Sequence, residues 1–277
     1  MQELAAAIRS KKAVLFAGAG LSMNLGLPSF GSLIDKLASE MGFDAEVFHS
    51  CGDYLALAEF YYQKKGSLGP LRSWMDTTWH SNDVDLEGSE IHKTIVGLDF
   101  PTIYTTNYDR WIEKSFELWG KNYCKVASVA DLAAAHDSLP QIVKFHGDFD
   151  NDESIVLTES SYFDRLDFES PLDIKLRSDV LGKTVLFLGY SLSDINIRYL
   201  LHKLQKQWSQ STNGKGRPKS YIFLTRPNVV QEELLRARGV IKTWLVIEVA
   251  KNEKTRLRLM VIARTGPPFC LPPHYLK

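Results

Sequence analysis

At 277 residues, with 33 Lys+Arg against 33 Asp+Glu, the chain has no bulk charge that would point to a nucleic-acid or membrane partner. Hydrophobic residues make up 44% and charged residues 24%, the balance of a packed globular protein. No apolar run reaches membrane-spanning length and the opening MQELAAAIRSKK is amphipathic rather than signal-like, which predicts a cytoplasmic protein.

The length suits one large α/β domain or one domain carrying an insertion. Cys51, Cys124 and Cys270 are far apart and offer neither CxxC metal spacing nor a disulfide framework. Residues 2–10 read as a short helix leading into an apolar strand, Ala13 to Phe16. The strand stops at Gly18-Ala19-Gly20, followed by Leu21, Ser22 and a polar loop closed by Gly26-Leu27-Pro28. A strand, a glycine turn and an amphipathic helix from Phe30 (Leu33, Ile34, Leu37, Met41) form the opening unit of a nucleotide-binding sheet. Glycine there lets backbone N–H groups approach a phosphate, although glycine serves many turns for steric reasons alone.

Residues 45–98 hold no strand pattern and read as a helical insertion over the glycine loop, its aromatic stripe (Tyr54, Phe60, Tyr61) belonging to a core. Further strands are expected at 102–105, more weakly at 123–126, then at 141–145, 155–157, 184–188, 221–224 and 243–249. Helices are expected at 128–136, 159–166, 171–181, 194–208 and 228–238, and a breaker-rich loop, SQSTNGKGRPK, at 209–219. The four prolines of the ending GPPFCLPPHYLK exclude a regular element there. The predicted organisation is a domain over 1–250 and a tail, 251–277, available for partner contact.

Alternating strands and helices predict an α/β fold with a doubly wound, mainly parallel sheet, and ligands of such sheets sit beyond the carboxyl ends of the strands. Polar clusters fall at those ends repeatedly: Gly18 to Ser22, Thr105 to Asp109, His146 to Asp148, and Gly189 to Asn196. Taken singly, Asn107 could cap a helix, Asp109 could favour a helix dipole and His146 could be an ordinary loop histidine. Together they supply an amide, an imidazole and carboxylates around a glycine turn, a set suited to cleaving a nucleotide's glycosidic bond. A serine hydrolase built on Ser22 and His146 lacks a GxSxG elbow. His80, His92 and His202 lack metal-ligand spacing, so no metal is expected.

In order along the chain, GAGLS with GLPSF, TTNYD, KFHGD and FLGYSL resemble the signature of the sirtuin-like NAD-binding superfamily over roughly residues 10–250. The resemblance implies a Rossmann-like fold and NAD+ as substrate. It implies that Gly18, Ala19, Gly20 and Ser22 cradle the pyrophosphate and adjoining ribose, with Phe30 near the nicotinamide ribose and Asp109 near the carboxamide. Thr105 and Thr106 belong to the same motif, Asn107 and His146 match the catalytic pair, and Gly189, Tyr190 and Ser191 match an adenosine-side loop extended by Asp194 and Asn196. The four-cysteine zinc ribbon of deacylases is missing, Gly31 stands where an arginine follows their phenylalanine, and Thr106 stands for their glutamine. The resemblance therefore favours the NAD hydrolases of bacterial anti-phage defence. It implies an effector in a homo-oligomer or with a separate activator such as a HerA-type ATPase. Deacylation, ADP-ribosyl transfer and a non-catalytic NAD or ADP-ribose sensor are the alternatives.

Overall fold

A computed structural model describes residues 2–167, 169–190, 194–212, 216–223 and 229–243. Its centre is β1 (Ala13–Ala17), all five residues of which are buried. Val14 and Phe16 enter one apolar cluster, while Ala13, Leu15 and Ala17 enter another on the opposite face. An uninterrupted apolar run makes a strand here because both faces are covered. Helix α1 (Gln2–Arg9) lays Leu4 and Ile8 on the second face.

Beyond Gly18 the chain turns at once into α2 (Ala19–Met23), a short helix where the sequence reading expects loop. Leu21 is 1% exposed, and its burial makes the turn helical. Helix α3 (Phe30–Met41) begins at Ser29, whose hydroxyl accepts from the Ser32 amide, and ends at Gly42 in the left-handed region. The 45–98 stretch is helical as expected: α4 (Ala45–Ser50), α5 (Tyr54–Lys65), α6 (Gly69–Trp79) and α7 (Glu90–Leu98). Leu57, Tyr61, Leu71 and Met75 of this stretch pack with Leu33 and Leu37 and close on Tyr108, Phe149 and Leu157. Leu25 and Leu27, just past α2, meet Trp79, Val84 and Leu86. The helical stretch therefore covers the loops at the carboxyl edge of the sheet.

The chain continues through β2 (Thr102–Thr105), α8 (Trp111–Leu118), β3 (Cys124–Val126), α9 (Val129–Ala134) and β4 (Gln141–Lys144). After these come α10 (Glu159–Phe163), α11 (Pro171–Gly182), β5 (Thr184–Leu188) and α12 (Ile195–Thr212). The last described elements are β6 (Ser220–Phe223), α13 (Val229–Ala237) and β7 (Val240–Thr243). The seven strands form one sheet in the order β3-β4-β2-β1-β5-β6-β7, with every neighbouring pair parallel. Helices α11 and α12 pack on one face, and α1, α7 and α8 on the other, so the sheet is doubly wound.

From β1 the chain lays down β2, then the edge strand β3, then β4 between them, and returns to lay β5 on the other side of β1. The switch point of such a sheet, between β1 and β5, leaves a crevice at the carboxyl ends. Ala17 pairs with both Thr105 and Leu188, and Thr105 pairs with Lys144, so four strands end level. Gly18, Thr106, Phe145 and Gly189 are the next residues of each, and the motif loops emerge side by side.

Three sequence expectations are revised. Ile155-Val156-Leu157 is no strand; its backbone is held by the Val156 amide donating to the His146 carbonyl at 3.0 Å, and its side chains are buried. Helix α12 runs into the 209–219 segment as far as Thr212, because the heptad-like apolar side (Ile197, Leu200, Leu201, Leu204) is followed by residues with no breaker before Asn213. The strand expected at 243–249 starts earlier, as β7, where Val240 is buried and pairs with Ser220. Residues 244–277, including the proline-rich tail, and Ser191 lie outside the described residues.

Candidate active site

The turn after β1 is locked to the turn after β5. The Gly18 amide donates to Leu188 O at 2.9 Å, and the Gly20 amide to Gly189 O at 2.8 Å. A Cβ on Gly20 would lie 2.8 Å from that same carbonyl oxygen, and one on Gly189, where φ is +64°, would lie 2.6 Å from the Leu21 amide nitrogen. The glycines are thus required by the approach of two backbones as well as by any ligand. With the Gly18 and Gly20 amides engaged, the parts of this turn turned toward solvent are the exposed Ala19 and Gly20 themselves.

The loop after β2 fastens to the same turn. Asn107 is 8% exposed; its Nδ2 donates to Gly18 O at 3.2 Å and to Ser22 Oγ at 3.0 Å. Ser22 Oγ in turn donates to Asp109 Oδ2 at 2.6 Å. Thr105, fully buried, accepts the Asn107 amide on its hydroxyl at 3.0 Å. Asp109 Oδ1 accepts the Trp111 amide at 3.1 Å, so this carboxylate also starts α8. Its carbonyl oxygen accepts from Lys144 Nζ, a lysine with no exposed side chain that pairs with buried Glu113 at 3.1 Å. A single buried network therefore fixes the carboxamide of Asn107.

The loop after β4 carries His146, which is 2% exposed. Its Nε2 lies 3.3 Å from Asp194 Oδ2, and its Nδ1 lies 3.5 Å from the Tyr162 hydroxyl. The Tyr162 ring stands edge-on to the imidazole, with centroids 5.2 Å apart. Burial pushes the imidazole down to about 4; Asp194 and Asp173 oppose the shift and Arg165 adds to it. His146 is thus neutral at physiological pH. Arg165 itself donates to Phe145 O, pairs with Asp173 at 2.5 Å and covers the Phe145 ring.

Tyr190 joins the two halves. It is buried against Phe16 and Phe187, its ring lies where a Gly18 Cβ would go, and its hydroxyl faces Asp194 and Thr106. Burial and the nearby Asp194 charge hold the Tyr190 hydroxyl protonated, well above the usual range. Asp194 begins α12, its Oδ1 accepting the amides of Asn196 at 2.8 Å and Ile197 at 3.3 Å. The Tyr190 hydroxyl and both ends of the fully buried Asn196 carboxamide make no hydrogen bond with the described residues, and His146 Nε2 and Asp194 Oδ2 have nothing beyond their own 3.3 Å contact, which is not aligned as a hydrogen bond. Buried polar groups are ordinarily satisfied, so a cluster of exceptions marks a place where a polar ligand belongs.

Of the residues singled out in the sequence, Gly18, Gly20, Ser22, Thr105, Asn107, Asp109, Gly189 and Tyr190 form one connected group, and His146, Asp194 and Asn196 adjoin it through Tyr190. Tyr108 ties the loops after β2 and β4, its hydroxyl donating to Val156 O at 2.7 Å. Phe30 stands apart at the start of α3, half-buried against the Tyr54 ring at 5.6 Å. Sequence reasoning missed Tyr162 and Lys144. Nothing in the sequence marks Tyr162, but a lysine inside the apolar run QIVKF is a signal, since a charge in a buried strand needs a partner. Among the described residues, no group of three or more His, Cys, Asp or Glu could hold a metal, and no helix is long and apolar enough to cross a membrane.

A parallel sheet with a glycine turn at its switch point, and polar loops converging there, defines a doubly wound α/β domain with its crevice at the carboxyl ends of the strands. The chain belongs to the SIR2-like domain family, whose model matches residues 101–243 and so takes in Asn107, His146 and Asp194. It is 36% identical over 203 residues to an NAD(+) hydrolase ThsA of Enterococcus faecium, covering 72% of this chain and 41% of that protein. It is 32% identical over 205 residues to the ThsA of Bacillus cereus (strain MSX-D12), covering 73% and 42%. It is 29% identical over 243 residues to defense-associated sirtuin 2 of Bacillus subtilis, covering 85% and 23%. The chain therefore spans about two fifths of the length of the ThsA relatives and less than a quarter of the sirtuin.

Proposed function

We propose that the chain is an NAD+ glycohydrolase, cleaving NAD+ to nicotinamide and ADP-ribose, and that it serves as an NAD-depleting effector of anti-phage defence. The observation that carries this reading is the placement of Asn107 and His146 on the loops after two neighbouring strands, β2 and β4, beside the glycine turn and buried polar groups without partners among the described residues. The names of the relatives support it independently.

In the reaction, the bond between ribose C1′ and the nicotinamide nitrogen breaks, and its electron pair neutralises the pyridinium ring. No general acid is needed for that departure, because the leaving group is already cationic. Positive charge develops on the sugar, water adds to C1′, and the proton lost by water passes to solvent through His146. Asn107 holds a ribose hydroxyl or the water without adding charge. Gly18, Ala19, Gly20 and Ser22 line the pyrophosphate side, Phe30 and Asp109 the nicotinamide side, and Thr105, Thr106, Gly189, Tyr190, Ser191 and Asn196 complete the dinucleotide's surroundings, with Asp194 behind His146. Asn107 and His146 are 8% and 2% exposed, so the dinucleotide must open the centre to enter. A closed centre suits an enzyme that stays silent until a homo-oligomer forms or a separate activator such as a HerA-type ATPase engages it. On this reading the domain extends over 1–250, the 251–277 tail contacts a partner, and the enzyme acts in the cytoplasm.

Chromatography of NAD+ incubated with the protein, with and without the product of its genomic neighbour, tests the reading. Equal amounts of nicotinamide and ADP-ribose are expected without any acyl peptide or acceptor, and Asn107→Ala or His146→Ala should lower turnover at least ~100-fold. Products that appear only with an acyl peptide or acceptor would point to deacylation or transfer instead. Undiminished hydrolysis by both variants would refute the assigned roles.

A further inference from the structure

We propose that Asp194 is the positioning residue of His146, holding the imidazole proton on Nε2 and stabilising the imidazolium, rather than a residue that contacts the dinucleotide. The proposal rests on the glycohydrolase reading for its kinetic consequence but on geometry for its substance.

The two oxygens of Asp194 have different surroundings. Oδ1 accepts two amides at the start of α12. Oδ2 has no such partner and faces His146 Nε2 at 3.3 Å, with the two side chains 9% and 2% exposed. The opposite ring nitrogen, Nδ1, faces the Tyr162 hydroxyl at 3.5 Å, on the half-buried side of the ring. A carboxylate 3.3 Å from Nε2 favours the tautomer with its proton there even without an aligned hydrogen bond, and leaves Nδ1 as an acceptor whose present neighbour is the Tyr162 hydroxyl at a long 3.5 Å. Nδ1 is then the atom that takes the proton from the attacking water, while the Nε2 proton stays between ring and carboxylate. Nothing is transferred to Asp194.

The other groups around the imidazole do not supply this charge. Arg165, from the segment after α10, is compensated by Asp173 of α11 and by the Phe145 carbonyl. Asp173 is held by Arg165 and by Ser170. Tyr162, Tyr108 and Tyr190 are all held protonated by burial and by the Asp194 charge they face. Asp194 is the carboxylate that has no cation among these neighbours, and the imidazolium formed during turnover would be its counter-charge. Burial lowers the proton affinity of His146 and the Asp194 charge opposes that shift, so the carboxylate acts in the direction that base catalysis needs.

Asp194→Asn separates this role from a structural one, because asparagine still caps α12 through its oxygen. The ¹⁵N shifts of the His146 ring at pH 7, in the intact protein without ligand, report the tautomer. Wild type should carry its proton on Nε2, and the variant should lose that preference. With NAD+ as substrate, kcat should fall by about 100-fold with KM changed less than about threefold, and the acid limb of the pH profile should shift. An unaltered tautomer in the variant overturns the proposal, as does a raised KM with unchanged kcat, which would make Asp194 a dinucleotide contact. Absence of NAD+ hydrolysis by wild type even with the product of its genomic neighbour would count against the glycohydrolase reading alone, since the tautomer measurement still decides the role of Asp194.

Discussion

The carboxamide of Asn107 donates to the carbonyl oxygen of Gly18 at 3.2 Å, so that the loop after β2 is bonded to the turn after β1 across 89 residues of sequence. Its second donor bond, to Ser22, continues to Asp109. The candidate catalytic amide is thus oriented by groups that the sequence separates widely and the level ends of parallel strands bring together.

Ser22→Ala removes the middle of that chain with little change in volume. Asp109 Oδ2 loses its donor inside a buried site and Asn107 loses one acceptor, a cost of about 1–3 kcal/mol. Thermal unfolding should record the loss, and NAD+ turnover should fall because Asn107 keeps only its bond to Gly18. Turnover and stability equal to the parent would show that the chain of bonds does not hold the amide.

Gly189→Ala should be among the most damaging small substitutions. Its φ of +64° disfavours any side chain, and the added carbon would meet the Leu21 amide nitrogen at 2.6 Å. The loop after β5 must then move away from the turn after β1, breaking the Gly20–Gly189 bond. A loss of about 2 kcal/mol or more is expected by denaturant titration, with NAD+ affinity falling alongside. Gly182→Ala, where a Cβ meets nothing, is the matched control and should be nearly silent.

How much of this was legible in the sequence depends on range. The apolar runs 13–16, 102–105 and 184–188 could be read as buried strands, because a strand covered on both faces leaves a local record in composition. That their polar followers meet was inferred from the rule that ligands sit at the carboxyl ends of such sheets, and the level strand ends bear this out. What stayed hidden is what depends on contacts between distant segments. The Val156 amide bonds to the loop after β4 in a run that looks like a strand, Tyr162 meets His146 from another helix, and Leu21 converts a polar loop into a helical turn. The glycines of GAG were read for a ligand's sake, yet Gly20 and Gly189 are also needed for each other, and nothing local distinguishes the two demands.

Stability should fall with acid before the carboxylates titrate. His92, 1% exposed and bonded through Nδ1 to Ser89 at 2.7 Å, and His146 are both pushed from 6.5 down to about 4, chiefly by burial. Between those values the unfolded chain binds protons that the folded one refuses, so stability is full above about pH 6.5 and declines as pH falls toward 4. From pH 7.5 to pH 5 each histidine accounts for about 2 kcal/mol. Denaturant midpoints at the two pH values measure the sum, and His92→Gln should remove about half of the difference. A midpoint that does not move between them would mean that both rings are protonated in the fold.

The pair Lys144–Glu113 offers a test of whether the site is supported from below. Both side chains are buried, 0% and 5% exposed, at 3.1 Å, and Lys144 also donates to the Asp109 carbonyl. Lys144→Met leaves Glu113 as an uncompensated charge and should cost about 3–5 kcal/mol, whereas adding Glu113→Gln should recover part of the loss. A double-mutant cycle by urea unfolding would then give a coupling of about 1–3 kcal/mol. The double variant should nevertheless keep low NAD+ turnover, because the Asp109 backbone has lost its anchor even where the charge has been removed. Recovery of stability and turnover together would mean that the lysine serves only to neutralise Glu113; recovery of stability alone would separate the burial of a charge from the placement of the loop that carries Asn107.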